Sequence, residues 1–375
     1  MDRRRFLTTT AAAAVATGLG TSPALASGVS SQLPSRADVI LTLRKVNDHW
    51  IGANTDPGDN KWARATYMNA DLALHRLTRD ARYLDYARGW AEKWSYALNT
   101  GVTTRHADNQ CAGQAYLDLY ELEPEQAKIA QIEESLRLMV EGPDPAKDDD
   151  WWWVDALHMA MPPFARVGKL LGDTRYWTKM DALYAHTRSA EGGTGLLNPP
   201  DRLWWRDARY ILPGGKASPN GKNVYWSRGN GWAIAAFAKV LQAVPASRTK
   251  EYRDRLTGLA AALRAVQRSD GFWNVNLADP GHLPGPETSG TAFFTYGLAY
   301  GIRAGLLDRT TYLPVVARAW NGMVATAVHS DGFLGWVQGV GYEPESSQPV
   351  TAGSTADFGV GGFLLAGTEV AGLAG

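Results

Sequence analysis

The chain reads as an all-α fold, a closed α/α toroid of about twelve helices set as inner and outer pairs. Three observations predict it. From about Ser35 onward, stretches with helical spacing of apolar residues alternate with loops rich in Gly, Pro and aromatic residues, and alternating β patterns never run beyond a few residues. A short motif, Asp80-Ala81-Arg82-Tyr83, recurs as Asp173-Thr174-Arg175-Tyr176 and Asp308-Arg309-Thr310-Thr311-Tyr312, with Ser247 to Tyr252 as a looser copy. In each, the Asp or Ser can cap a helix start while the Tyr begins its buried stripe. A turn also recurs, as Gly195-Leu196-Leu197, Asp270-Gly271-Phe272-Trp273 and Asp331-Gly332-Phe333-Leu334, where glycine supplies a positive φ and an apolar side chain returns to the core. Helix pairs joined by alternating short and long loops must each bury an inner face against neighbours, which closes a ring. Such a ring gathers its long loops and inner-helix N-termini at one mouth, where they line a common pocket.

Taken in order from the N-terminus, Arg3-Arg4-Arg5-Phe6-Leu7, an Ala/Thr-rich apolar run and Ala24-Leu25-Ala26 form the charged region, apolar region and cleavage site of a secretory signal. Arg-Arg-x-Phe-Leu is similar to the twin-arginine export signal. The apolar run is too short and too rich in Ala and Gly to span a membrane. Residues 1–26 are therefore expected to be removed on export, leaving one domain, 27–375, outside the cytoplasm. With 375 residues, 45% hydrophobic and 20% charged, that domain can bury a large core, and the single cysteine, Cys111, excludes an internal disulfide. Lys+Arg and Asp+Glu are both 38, so there is no basic excess for nucleic acid or for an anionic membrane. The expected partner is a small neutral or acidic ligand, and the expected state a monomer.

The most aromatic stretch is Trp151-Trp152-Trp153-Val154-Asp155-Ala156-Leu157-His158-Met159, in a chain with 15 Trp against 9 Phe. Indole faces stack on pyranose rings and exclude water, which raises the pKa of a neighbouring carboxyl group and keeps it protonated for acid catalysis. Asp155 reads either as a sugar-facing acid or as a helix cap beside a core Trp cluster. Arg105-His106-Ala107-Asp108-Asn109-Gln110 precedes a helical run from Ala112 to Glu121, so Asp108 also stands at a helix start. Two carboxylates at inner-helix N-termini can converge on one ligand, and two are the minimum for glycosidic chemistry. The motif Tyr225-Trp226-Ser227-Arg228-Gly229-Asn230-Gly231-Trp232 opens the next helix. Gly229 and Gly231 permit close backbone approach, Arg228 offers a charge-assisted clamp and Trp232 a stacking face, the alternative being a helix-entry turn whose Arg pairs internally. Upstream, Trp204-Trp205-Arg206-Asp207 sets another Arg among indoles; downstream, Glu287 to Ala292 and Gly353-Ser354 to Gly361 open further helices. His158 either tunes the Asp155 proton or is a core histidine, and His106 is a similar case. Asp148-Asp149-Asp150 lacks the alternate spacing of a calcium loop, and neither a phosphate-cradling glycine motif nor a serine elbow occurs, so neither metal nor cofactor is expected.

These residues together resemble the unsaturated uronyl hydrolases of glycoside hydrolase family 105 (unsaturated rhamnogalacturonyl hydrolases) and its relative family 88 (unsaturated glucuronyl hydrolases). The carriers are Asp108-Asn109, Trp153 to Met159 with Pro163-Phe164, Trp226 to Trp232, Glu287 to Ala292, and Gly359 to Ala366. The resemblance implies an (α/α)6 barrel acting on the oligosaccharide products of polysaccharide lyases, whose non-reducing uronic acid carries a C4=C5 double bond. It further implies that Asp155, supported by Asp108, protonates C4 and then takes a proton from the water adding at C5, and that Arg228 and Trp232 contact the sugar. Trp226, Arg206, His158 and Ser354 complete the expected substrate contacts. Arg206 stands where many members carry His, and Ala156 where Gly or Asp is usual. An unsaturated rhamnogalacturonyl substrate is the first expectation and a glucuronyl one the alternative. An ordinary inverting glycosidase on the same fold and an extracellular sugar-binding protein are the rival readings.

Overall fold

A computed structural model describes residues 29–374, so the export segment expected over 1–26 lies outside the described residues. Its helices are α1 (Arg36–Ala53), α2 (Trp62–Thr78), α3 (Ala81–Lys93), α4 (Ala107–Gln110), α5 (Ala112–Leu122), α6 (Ala130–Glu141), α7 (Ala156–Leu171), α8 (Thr174–Ser189), α9 (Ser227–Leu241), α10 (Lys250–Ala265), α11 (Thr288–Arg303), α12 (Arg309–Thr326) and α13 (Asp357–Leu373). The only strands among the described residues, β1 (Leu197–Asn198) and β2 (Leu203–Trp204), form one antiparallel pair in the long loop before α9.

The packing is the expected ring. Around its inside, α2 packs on α5, α5 on α7, α7 on α9, α9 on α11, α11 on α13, and α13 closes back onto α2. The remaining long helices stand outside: α3 lies on α2, α6 beside α8 and against α5 and α7, α8 on α7, α10 on α9, α12 on α11 and α1 on α13. Burial separates the two layers as amphipathicity requires. Every residue of α11 from Thr288 to Ile302 is buried, whereas α3 buries only the stripe Tyr83, Ala87, Trp90 and Ala91.

The repeated motif marks outer helices. The carboxylates of Asp80, Asp173 and Asp308 accept hydrogen bonds from the backbone N–H of Arg82, Arg175 and Thr311 and so cap α3, α8 and α12. The looser copy fails as a cap: Ser247 lies in a single 3-10 turn, and α10 starts from Thr249, whose αR backbone leaves its side chain without a capping bond. The recurring turns behave as expected, with φ of +84°, +88° and +96° at Gly195, Gly271 and Gly332. Leu196, Phe272 and Leu334 follow them into the core. Each turn lies so close to an outer helix that a Cβ would collide with a backbone carbonyl, that of Arg188, Arg318 or Lys45.

Candidate active site

The C-terminal halves of all the inner helices line one cavity of about 720 Å³, from Asn69 and Asp118 through Arg166 and Lys239 to Tyr296 and Glu369. Their N-termini therefore share the opposite mouth, and the acidic and aromatic candidates gather there. Asp155 occupies the N-cap position of α7, yet its side chain makes no capping bond. Its Oδ1 is buried without a hydrogen-bond partner among the described residues. The cap reading of Asp155 thus fails on geometry: the residue has αR backbone angles, φ −64° and ψ −28°, which aim its side chain away from the helix N–H groups.

Three devices hold this carboxyl in place. The backbone N–H of Val154 donates to the Arg206 carbonyl at 2.9 Å, tying the loop before α7 to the loop after β2. Gly229 supplies the floor, since a Cβ there would stand 2.9 Å from Val154 Cγ1 and 3.6 Å from Asp155 Oδ1. Arg105 grips both oxygens of Asp150, with its closest contact at 2.6 Å, while the His106 ring packs on Trp153 at 4.7 Å. This staple brings the loop carrying Asp108 against the loop carrying Asp155.

Arg206 lies between the acids and the rest of the wall. Its Nη1 donates to Asp207 Oδ2 at 2.7 Å, and its Nε stands 3.7 Å from Asp155 Oδ2 with no hydrogen-bond partner of its own. Its guanidinium also lies 5.4 Å from the Trp152 ring. Burial pushes Asp155 up to about 6, against the pull of the Arg206 and Arg228 guanidinium groups and with help from the charges of Asp108 and Asp207. Burial likewise pushes Asp108 up to about 6, opposed by Arg206. Burial therefore favours the protonated form of both carboxyl groups, and Arg206 is the nearer of the two buried cations that oppose it at Asp155.

Arg228 is put to a different use from the expected clamp. It is 1% exposed, its Nη1 and Nη2 donate to the carbonyls of Gln338 and Gly339 at 2.5 and 2.9 Å, and its plane is held between Trp226 and Phe358. A bidentate fork with both ends engaged cannot also grip a ligand carboxylate in this arrangement. The expected stacking faces are similarly enclosed. Trp226 donates from its indole to Gln338 Oε1 at 2.8 Å, and Trp232 packs on His158 and Phe293. His158 is fully buried one turn below Asp155, and burial holds it well below the usual histidine range, hence neutral. These residues build the wall behind the acid. Ser354 sits half-buried in a turn with Thr351, 3.0 Å between the two hydroxyls.

Gln338 was not legible as a site residue, because it lies in a loop without any motif. Its backbone N–H donates to Glu287, its carbonyl accepts from Arg228, and its amide donates to the carbonyls of Pro344 and Ser346. Glu287 in turn caps α11 through Ser289 and Gly290. The acidic triplet is structural: Asp150 pairs with Arg105 and Asp148 with His186.

The family model described as Glycosyl Hydrolase Family 88 matches residues 41–374. A protein of Formosa agariphila named unsaturated 3S-rhamnoglycuronyl hydrolase is 31% identical over 329 residues, covering 82% of this chain and 84% of that protein. Among solved structures, one described as a polysaccharide lyase has 36% identity and a TM-score of 0.83, covering 90% of this chain and 98% of its own. Another, described as a glycosyl hydrolase family 88 protein from Bacteroides vulgatus, has 34% identity and a TM-score of 0.83, covering 90% and 99%.

Proposed function

The chain belongs to glycosyl hydrolase family 88, and from that premise we propose that Asp155 is the acid and base by which it removes a 4,5-unsaturated uronic acid from the non-reducing end of an oligosaccharide. The observation that carries this reading is a buried carboxyl with one free oxygen, pushed up to about 6, at an aromatic mouth. Protonated Asp155 gives its proton to C4 and positive charge develops at C5, shared with the ring oxygen. Water adds at C5 and returns a proton to the Asp155 carboxylate. The hemiketal opens to a C5 ketone, leaving at C1 a hemiacetal that collapses to an aldehyde and the free aglycone. One water is consumed and the acid is regenerated. Whenever Asp108 is ionised, its charge raises Asp155 further, adding to the effect of burial.

An ordinary inverting glycosidase needs one protonated and one ionised carboxyl group at the same pH. Here burial drives both acids in the same direction to a similar value, which favours the single acid/base cycle. The double bond also erases the C4 stereocentre by which galacturonic and glucuronic acids differ, so the origin of the uronide is not readable in the substrate ring. Selectivity then rests on the aglycone, and the name of the Formosa relative favours a rhamnose-type sugar there.

The test follows the ultraviolet absorbance of the conjugated carboxylate in lyase-generated oligosaccharides. Loss of absorbance with release of the aglycone is expected. A rise in absorbance from saturated polysaccharide would indicate a lyase instead, new reducing ends from saturated substrate an ordinary glycosidase, and affinity without turnover a sugar-binding protein. Export through Arg3-Arg4 is proposed on the sequence alone, and replacement of both by Lys should leave unprocessed precursor in the cytoplasm.

A further inference from the structure

Most aromatic rings among the described residues are buried or partly buried, and only Trp152, at 44%, and Tyr342, at 79%, are exposed large aromatics. Both stand on segments fastened to the catalytic wall. Trp152 is three residues before Asp155, packs at 4.7 Å on Trp153, and lies under the guanidinium of Arg206. Tyr342 follows the Gln338-Gly339 segment that Arg228 holds, and Val340 beside it is 58% exposed.

A chain of ion pairs joins the two segments. Arg206 and Arg209 both bind Asp207, at 2.7 and 2.9 Å, and Arg209 Nη2 also donates to the Tyr342 carbonyl at 3.2 Å. Lys216 pairs with Glu343 at 2.8 Å, and the Tyr210 hydroxyl donates to Glu345 at 3.0 Å. Each cation in this saddle already has an acidic partner, and Arg206 Nε alone among their buried donors makes no hydrogen bond. Beside the half-exposed side chains of Arg209 and Lys216, the rim leaves open to water an indole, a phenol ring and a valine. Exposed apolar surface concentrated at the rim of a polar pocket marks a place where a ligand's apolar face is bound.

We propose that Trp152 and Tyr342 form the aglycone subsite, which takes the apolar face of the sugar next to the uronide, and that this subsite sets the enzyme's selectivity. The inference rests on the unsaturated uronide reading of the site. A 6-deoxy sugar suits it, because its methyl group and axial hydrogens present a continuous apolar face to an aromatic ring, with no free cation needed for recognition.

The experiment compares kcat/KM for two substrates sharing one unsaturated uronide, the first linked to rhamnose and the second a methyl glycoside, in wild type and in Trp152→Ala, Trp152→Phe, Tyr342→Ala and Tyr342→Phe. In each Ala variant the preference for the rhamnosyl substrate should fall about tenfold through KM, and each Phe variant should recover most of it. Thermal unfolding midpoints identify any variant that loses its fold, and the Phe variants keep the test informative where an Ala variant fails. An unchanged preference in both Ala variants would overturn the subsite. Failure of the wild-type enzyme to consume either substrate would instead overturn the uronide reading, so the two failures are distinct.

Discussion

At the residue scale, the proposed chemistry turns on how Asp155, Asp108 and Arg206 share charge. Asp155→Asn keeps the shape of the side chain and removes its proton, so turnover should fall by roughly 10²–10⁴ while the unfolding midpoint holds. Near-normal turnover in that variant would exclude the mechanism. The resting enzyme needs a protonated acid, so kcat/KM should decline as pH rises through about 6, the value to which both carboxyl groups are raised. The two acids interact, so the limb belongs to the pair. Arg206→Gln removes the largest influence lowering Asp155 and should move the limb to higher pH. Asp108→Asn removes a negative neighbour and should move it to lower pH; shifts of the opposite sign in a pH–rate profile would refute this electrostatic arrangement. Arg228→Ala leaves the Gln338 and Gly339 carbonyls without their buried donor, at a cost of about 1–3 kcal/mol. Because Arg228 holds the wall, its loss should affect acid and methyl-ester substrates alike, and selective weakening of the acid would restore the clamp. Asp155 was legible from its aromatic setting, whereas the enclosure of Arg228, Trp226, Trp232 and His158 was not, since nothing local distinguishes an indole facing a ligand from one facing a carbonyl.

At the element scale, outer helices carry stability and inner-helix entrances carry function. Asp173→Ala removes the cap of α8 and should cost about 1 kcal/mol, read as a lower unfolding midpoint, with kcat unaltered because α8 is an outer helix. Gly229→Ala is the contrasting case. Its new methyl would press on Val154 at 2.9 Å and reach Asp155 Oδ1 at 3.6 Å, so kcat should fall more than stability does. A Gly229→Ala enzyme with full kcat would show that the acid tolerates displacement. Caps and turn glycines were readable because each acts on the few residues beside it. The start of α10 was not, because Ser247 has a capping side chain but sits in a tighter turn that ends before the helix begins.

At the scale of the whole molecule, the ring exists only when α13 returns to α2. That seam is close: a Cβ on Gly361 would stand 3.0 Å from the Thr66 carbonyl oxygen and the Tyr67 Cα. Gly361→Val should therefore wedge α13 from α2 and lower the unfolding midpoint by several degrees, beyond the effect of the same substitution at exposed Gly89. The sequence by itself determined the layers of this ring, because helical spacing, caps and turn glycines are local and repeat. It also placed Asp108 and Asp155 at helix entrances, because a helix start is set by the few residues around it. Tertiary structure alone decided which of the aromatic and cationic residues meet the mouth. Gln338 is more than a hundred residues from Arg228 in sequence yet takes its guanidinium, and Arg209 reaches across a similar span to the Tyr342 carbonyl. Such pairings follow from ring closure, which brings distant loops to one face and leaves exposed only those side chains that closure does not cover.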